Sequence, residues 1–258
     1  MKNEKINKAV EIEKKQLNRR KFIAFGIFTG LYAAGYAAWR WLYKQPGDGG
    51  LLGGIQTPLR PVLNENEKIF THNYKQTKFA KVYPKNKALI NPRVNGDIGL
   101  DPDFVPGEWK LEIQKADGNS LFLSLDEIKS LPKSEIVFDF KCIEGWSQIT
   151  YWGGVKFSDL INHYELHKEA GMHYTGVSTP DDGYYVGIDM ESALHPQTIL
   201  CYEMNGERLT EKHGFPLRVI IPVKYGVKNL KRIGTIYFSN VRPPDYWAER
   251  GYDYYGGL

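Results

Sequence analysis

The sequence predicts an α+β domain with mixed or antiparallel sheets and short helices, preceded by one membrane-spanning helix. Three observations carry this reading. Segments that alternate with a period of two outnumber those with a helical period, and the helical ones are brief. The 26 glycines and 14 prolines among 258 residues suit a loop-rich, strand-containing fold better than a helical bundle. Residues 22–39, FIAFGIFTGLYAAGYAAW, carry no charge over 18 positions, close to the length a helix needs to cross a bilayer core.

The N-terminus divides by composition. Residues 1–21 hold eight Lys/Arg and three Glu, a net of +5, against +4 for the whole chain, so the remaining residues sum to about −1. This is a basic tail and not a basic domain, so nucleic acid is not an expected partner. Residues 22–44 form the membrane anchor, with Trp39, Trp41 and Tyr43 as an aromatic belt and Arg40 and Lys44 placed to reach the interface. The excess of Lys/Arg ahead of the span holds the N-terminus in the cytoplasm. The pair Arg19-Arg20, with Phe22 two residues later, is similar to a twin-arginine export signal. The helix is expected to persist as an anchor, since no clear small-x-small site followed by a polar stretch is visible. Residues 45–60, QPGDGGLLGGIQTPLR, read as a linker, and the folded domain is expected over 61–258.

Within that domain, residues 108–114 alternate as a strand, and Asp117-Gly118 turns the chain into LFLSL. Ser124 and Glu127 form a capping box that opens a short helix ended by Pro132. Residues 135–142, EIVFDFKC, alternate again and put Ile136, Phe138, Phe140 and Cys142 on one face. FSDLINHYELHKEAG reads as one helix, capped by Ser158 or Asp159 and stopped by Gly171. Residues 198–209 form a hairpin around Asn205-Gly206, and LRVIIP and GTIYFSN are two further strands.

Several chemistries find no support. There is no strand-GxGxxG-helix unit, phosphate loop or Gly-x-Ser-x-Gly elbow. The two cysteines, Cys142 and Cys201, belong to no CxxC or CxxCH motif and offer at most one bridge. His163 and His167 share a helical spacing that can chelate a metal, but no adjacent Glu supports it, and two surface histidines are the commoner outcome.

Two features remain. Cys142 ends a strand facing inward, which suits a buried structural thiol, half of a disulfide with Cys201, or a thiolate ligand to a metal. The residues alone leave these open. The second feature is KHGFPLRVIIPVKYGVKNLKRI, residues 212–233, which sets His213, Arg218, Lys224, Lys228, Lys231 and Arg232 among glycines and β-branched residues. Such a segment can hold an anion such as phosphate, or be a solvated basic face beside a core strand.

Together these segments resemble one family. FKCIEGWSQITYWGGVKFSDLI is similar to the cysteine segment of the sulfite oxidase superfamily of molybdenum enzymes. Within it, the segment most resembles the catalytic subunits of bacterial periplasmic methionine-sulfoxide reductase. NGERLTEKHGFPLRVIIPVKYGVKNLKRI resembles the cofactor-binding segment of the same family, and DYWAERGYDYYGG its tail. The resemblance covers roughly residues 65–258. It implies a sulfite-oxidase-type molybdopterin-binding fold and one molybdenum held by one pyranopterin and by Cys142, the catalytic and metal-binding residue. It further implies that Asn73, Thr179, His213, Arg218, Asn229, Leu230 and Lys231 bind the cofactor. Lys141 departs from the arginine of the reductase subunits, and His213 from their asparagine.

The expected function follows from the resemblance: an enzyme of the bacterial inner membrane, single-pass, its catalytic domain periplasmic, moving an oxygen atom on a small substrate such as a sulfoxide. The chain carries no haem, flavin or iron–sulfur motif, so a separate membrane or soluble cytochrome is the expected electron partner. Sulfite oxidation with the same cofactor is the alternative within the class. A non-catalytic, membrane-tethered binding domain is the alternative outside it.

Overall fold

The computed structural model describes residues 2–47, 55–73 and 78–258. The first helix, α1 (Lys2–Tyr43), runs through both the basic tail and the apolar stretch. From Lys14 to Tyr43 it is long and apolar enough to cross a membrane, and none of its most apolar window is buried against the rest of the chain. The linker is partly ordered: Gly47 bridges Gln56, and the Thr57 amide and hydroxyl both donate to the Pro46 carbonyl at 3.0 Å. Residues 48–54 of the linker lie outside the described residues. Helix α2 (Arg60–Asn73) follows.

The domain's regular elements then succeed one another as β1 (Leu111–Gln114), β2 (Ser120–Leu123), α3 (Leu125–Lys129), β3 (Lys133–Lys141), β4 (Ser147–Lys156), α4 (Phe157–His163) and α5 (His167–Ala170). After these come β5 (Tyr174–Ser178), β6 (Tyr185–Asp189), α6 (Met190–Ala193), β7 (Ile199–Met204), β8 (Glu207–Arg208), β9 (Arg218–Ile220) and β10 (Thr235–Ser239).

Two five-stranded sheets result, so the α+β expectation holds. The first has the order β2-β1-β10-β5-β6 and is mixed, because β1 and β10 run parallel while the other pairs are antiparallel. The second, β3-β4-β7-β8 with β9 also on β7, is antiparallel. A bulge at Gly153/Gly154 lets β4 approach β7 closely: a Cβ on Gly154 would sit 2.0 Å from the Leu200 carbonyl oxygen. Leu111, Ile113, Val177, Leu230 and Ile236 belong to the larger apolar core, while Ile136, Phe138, Phe140, Trp152 and Cys201 form a second cluster.

The local expectations fare unevenly. The capping box is present, with the Ser124 hydroxyl accepting from the Glu127 amide and Glu127 accepting from the Ser124 amide. Asn205 (φ +55°) and Gly206 (φ +80°) turn β7 into β8 in the left-handed region, as an Asn-Gly hairpin requires. The helix read as one over residues 157–171 is two. The chain leaves helical geometry at Tyr164 and Glu165, where Glu165 takes φ +54°. Neither Ser158 nor Asp159 caps it, since the N-cap is Lys156 and makes no side-chain cap. The amphipathic pattern continued across a break whose cause is backbone turning, which periodicity does not register.

Candidate functional site

The site grows from the end of β3. Alternation sends Ile136, Phe138, Phe140 and Cys142 to one face, and all four are buried. The chain reverses immediately afterwards. The Cys142 amide donates to the Trp146 carbonyl at 2.9 Å, and Gly145, with φ +88°, donates to the Cys142 carbonyl at 3.1 Å. Cys142 is 6% exposed and its thiol is free, as is that of Cys201. The bridge between them, one of the three sequence readings, is therefore corrected. Cys201 lies fully buried on β7, and its thiol donates to the Glu203 carbonyl.

Cys142 lines a cavity of about 130 Å³ together with Tyr184, Arg218, Asn229, Lys231 and Trp247. Burial raises the Cys142 thiol above its ordinary pKa, against the lowering effect of the Glu144 amide. A metal at the sulfur would reverse this and stabilise the thiolate. The charged side chains acting on Cys142 are Glu144 and Arg93, which face each other at 3.9 Å while the Arg93 guanidinium lies over the Trp146 ring.

The basic segment sorts into two groups. Lys224 pairs with Asp189 at 2.6 Å, Lys228 with Asp245 at 2.5 Å, and Arg232 with Glu211 at 2.8 Å. These buried cations are neutralised inside the protein. Arg218 and Lys231 are also buried, yet among the described residues neither forms an ion pair. The Arg218 guanidinium, 2% exposed, donates to the carbonyls of His213 and Asn229, each at 3.0 Å, and stacks over Trp152. Its Nε is buried without a hydrogen-bond partner. The Lys231 ammonium donates only to backbone, at 2.5 Å to Asn95 and 2.8 Å to Gly96. Burial, then the neighbouring Arg218, brings Lys231 down to about 7. Burial brings Arg218 to about 10. His213 falls to about 4 through burial and the charges of Arg218 and Lys231. Two buried basic groups outside any ion pair among the described residues, with only Asp97 acting on Lys231 from a distance and one donor of Arg218 free, are what an anionic ligand completes.

The other expected residues are placed differently. Asn229 lines the cavity, but its side chain is spent on backbone, accepting from the Ile221 amide at 2.6 Å and donating to the Tyr225 carbonyl at 3.0 Å. Leu230 lies in the apolar core. His213 lines a neighbouring surface cleft with Met204, Arg208 and Thr210. Thr179 is the buried first residue of the loop joining β5 and β6. Its hydroxyl donates to Asp181 at 2.5 Å and accepts from the Tyr184 amide at 3.1 Å. That loop delivers Tyr184 to the cavity, where its hydroxyl donates to the Val227 carbonyl at 2.5 Å. Asn73 closes α2, and its side chain lies outside the described residues.

Sequence reasoning missed Tyr184, Trp247, Tyr252 and the Asn95-Gly96 pair. Tyr184 feels the Cys142 sulfur electrostatically, and burial holds its phenol protonated. Trp247 and Tyr252 meet edge to face at 5.1 Å on the tail that Asp245 anchors to Lys228. The resemblance of that tail to the family covered Trp247 and Tyr252 without marking either as lining the site.

A strand-end thiol sharing a cavity with two basic groups outside any ion pair makes a site for an anionic group beside a sulfur donor. Residues 98–247 match the family described as "Oxidoreductase molybdopterin binding domain", and the chain belongs to that family. It is thus a molybdopterin-binding oxidoreductase, and the resemblance to the sulfite oxidase superfamily holds. Similar proteins include the putative protein-methionine-sulfoxide reductase subunit YedZ1 of Azospira oryzae, 34% identical over 180 residues, covering 69% of this chain and 68% of that one. The uncharacterized oxidoreductase YuiH of Bacillus subtilis is 30% identical over 61% of this chain and 77% of its own. The protein-methionine-sulfoxide reductase catalytic subunit MsrP of Campylobacter jejuni is 28% identical over 62% of this chain and 58% of its own. The fold is shared with the sulfane dehydrogenase SoxCD of Paracoccus pantotrophus, with a TM-score of 0.50 at 16% identity over 65% of this chain and 46% of that one.

The residues present fit the cofactor this family binds. A free inward thiol is available to the metal, and the unpaired donor of Arg218 and the backbone-only Lys231 are available to a phosphate.

Proposed function

We propose that this chain is a membrane-anchored molybdopterin enzyme that removes the oxygen atom of a sulfoxide, using electrons from a separate redox protein. The observation that carries it is Cys142, a free thiol on the wall of a cavity that also presents two cations lacking carboxylate partners. When bound, the molybdenum cofactor supplies the two-electron oxygen-atom chemistry. The chain's own residues bind and orient. Cys142 ligates the metal through sulfur, Arg218 and Lys231 hold the phosphate, and Asn229 keeps the turn between them in place. Thr179 orients the loop of Tyr184, whose phenol keeps its proton on the cavity wall. His213, neutral over the physiological range, is a hydrogen-bonding group for the pterin, and Leu230 and Asn73 complete the set.

Two points favour a sulfoxide over an anionic substrate. Relatives are named as methionine-sulfoxide reductases. Beside the polar residues assigned to the cofactor, the cavity around Cys142 is lined by Trp247, Tyr252, Ile98 and Ile143, apolar surface that suits the alkyl groups of a sulfoxide better than a small anion. The apolar window of α1 supports a membrane anchor that leaves the domain on the periplasmic side of the bacterial inner membrane. The test is to purify full-length wild type and Cys142→Ser from a molybdate-supplied host and measure molybdenum, pterin and turnover. One molybdenum per wild-type chain, methionine-sulfoxide reduction with a small-molecule donor, and loss of both in the variant are expected. Sulfite oxidation without sulfoxide reduction would overturn the substrate reading.

A further inference from the structure

On the outer side of the wall that carries Cys142 lies a second depression, of about 360 Å³. Its floor includes Tyr83 and Val223, and its rim includes Phe79 and three lysines, Lys78, Lys81 and Lys141, against one acidic side chain, Asp139, with Leu258 also on the lining. Phe79 is 56% exposed and the adjoining Val82 61%. Among the described residues none of the three lysines forms an ion pair. The ammonium of Lys81 stands 5.1 Å from the Tyr83 ring.

This face is held firmly. Gln197 clamps Ala80 from both sides, accepting from its amide at 2.8 Å and donating to its carbonyl at 2.9 Å. The Tyr83 amide donates to the Val137 carbonyl at 2.9 Å, and Val82 bridges Phe138 on β3. The platform is therefore stitched to the strand that ends at the cavity. Lys141 and Cys142 are consecutive, about 3.8 Å apart at Cα, and alternation turns one outward to the depression and the other inward to the cavity. One strand end is the whole separation between the two.

We propose that this face docks an electron carrier whose exposed cofactor edge is ringed by carboxylates. The apolar floor receives the cofactor edge, the lysines attract the acidic rim, and the Lys141–Cys142 wall is the path inward. The proposal rests on the redox reading above and assigns the partner's charge and its place. Charge-steered, small interfaces suit a carrier that must arrive and leave rapidly. The balance is simple: reducing one sulfoxide to a thioether takes two electrons and two protons and releases one water. A one-electron carrier therefore docks twice per turnover.

The experiment uses cofactor-loaded, full-length enzyme in detergent, without sulfoxide, and follows reduction of the bound cofactor by stopped flow. The donors are reduced flavodoxin, a strongly acidic protein, and reduced methyl viologen, which is too small to need a docking face. Each flavodoxin rate is divided by the viologen rate of the same preparation, so loss of cofactor or fold cancels. The triple variant Lys78→Glu, Lys81→Glu, Lys141→Glu is expected to lower this ratio at least tenfold at low ionic strength and to flatten its salt dependence. The triple arginine variant, which keeps the charges, should stay within threefold of wild type. A drop of less than threefold in the glutamate variant overturns the docking face, as does an equal drop in the arginine variant. Because no sulfoxide is present, the result stands apart from the substrate reading, which fails only in the turnover assay.

Discussion

The Lys231 ammonium donates to the Gly96 carbonyl at 2.8 Å, 135 residues earlier in the chain. This bond and its neighbour to Asn95 tie an irregular strap to the basic segment that carries Arg218 and Lys231. The same strap is fixed further back by Asn205, which donates to the Leu89 and Ile90 carbonyls, and by Gln148, which bonds the Arg93 backbone in both directions. The strap thus crosses the site with its backbone supplying the only hydrogen-bond acceptors given to Lys231 among the described residues.

Lys231 is held well below its usual range, at about 7. Between that value and the ordinary lysine pKa, the unfolded chain binds more protons than the folded one, so stability rises with pH across this window and the penalty is fully present below it. Cofactor-free protein should therefore gain several degrees in Tm from pH 7 to pH 9, and Lys231→Met should lose most of that gain. Thermal scans of both chains in the same buffers decide it.

Removing the Cys142 sulfur should separate chemistry from stability. Cys142→Ser is expected to retain a cooperative transition within about 1–2 kcal/mol of wild type, the usual scale for a single conservative change. Bound molybdenum should fall at least tenfold. Denaturant unfolding and metal analysis on one preparation measure both.

The buried pair Lys228–Asp245 anchors the tail that carries Trp247 and Tyr252 to the cavity. Lys228 also donates to the Gly187 carbonyl at 2.9 Å and lies over the Tyr254 ring. Breaking one partner of such a pair typically costs about 3–5 kcal/mol. Asp245→Ala should lose stability on that scale, and the tail beyond it should gain amide exchange ahead of β5 and β6. Hydrogen-exchange mass spectrometry reads the order.

At Gly187 the packing leaves no room. A Cβ there would lie 1.8 Å from the Tyr254 hydroxyl oxygen and 2.7 Å from its ring. Gly187→Ala is expected to destabilise by more than about 2 kcal/mol, within the range for overpacking. Tyr254→Phe in the same chain should recover part of this, since it removes the nearest atom. Urea midpoints of the two variants provide the comparison.

Arg19 and Arg20 precede the apolar window of α1. If they direct export, replacing both with lysine should leave the enzyme on the cytoplasmic side. The wild type should resist alkaline carbonate extraction and be cut by protease added to spheroplasts. The measure is protease accessibility in spheroplasts, expected to fall at least tenfold.

Legibility in the sequence followed the physics of each element. β3 was readable because one face is buried and the other partly exposed, so alternation was clean up to Cys142. The capping box and the Asn-Gly hairpin were readable because their chemistry is local. β5 and β6 were not, since YTGVS and YVGID are buried on both faces and centred on glycine, which erases a period of two. Within the site, Cys142 and Arg218 stood out by residue type and place, and Lys231 only through the family resemblance. Tyr184 did not, because what brings it to the cavity is a turn held by Thr179, and Asn95 acts through a carbonyl that every residue possesses. Nor could spacing separate Arg218 and Lys231 from Lys224, Lys228 and Arg232. That distinction depends on Asp189, Asp245 and Glu211, which meet the cations only after folding.

The parallel ladder between β1 and β10 has a bearing on biosynthesis. β10 inserts between β1 and β5, so those earlier strands have no common neighbour until residues 235–239 have left the ribosome. The first sheet stays open until β10 is in place, and the cavity, whose walls draw on Asn95 at one extreme and Tyr252 at the other, cannot form before it. Any ligand of this cavity therefore meets a complete site only after residues from both ends of the domain have come together.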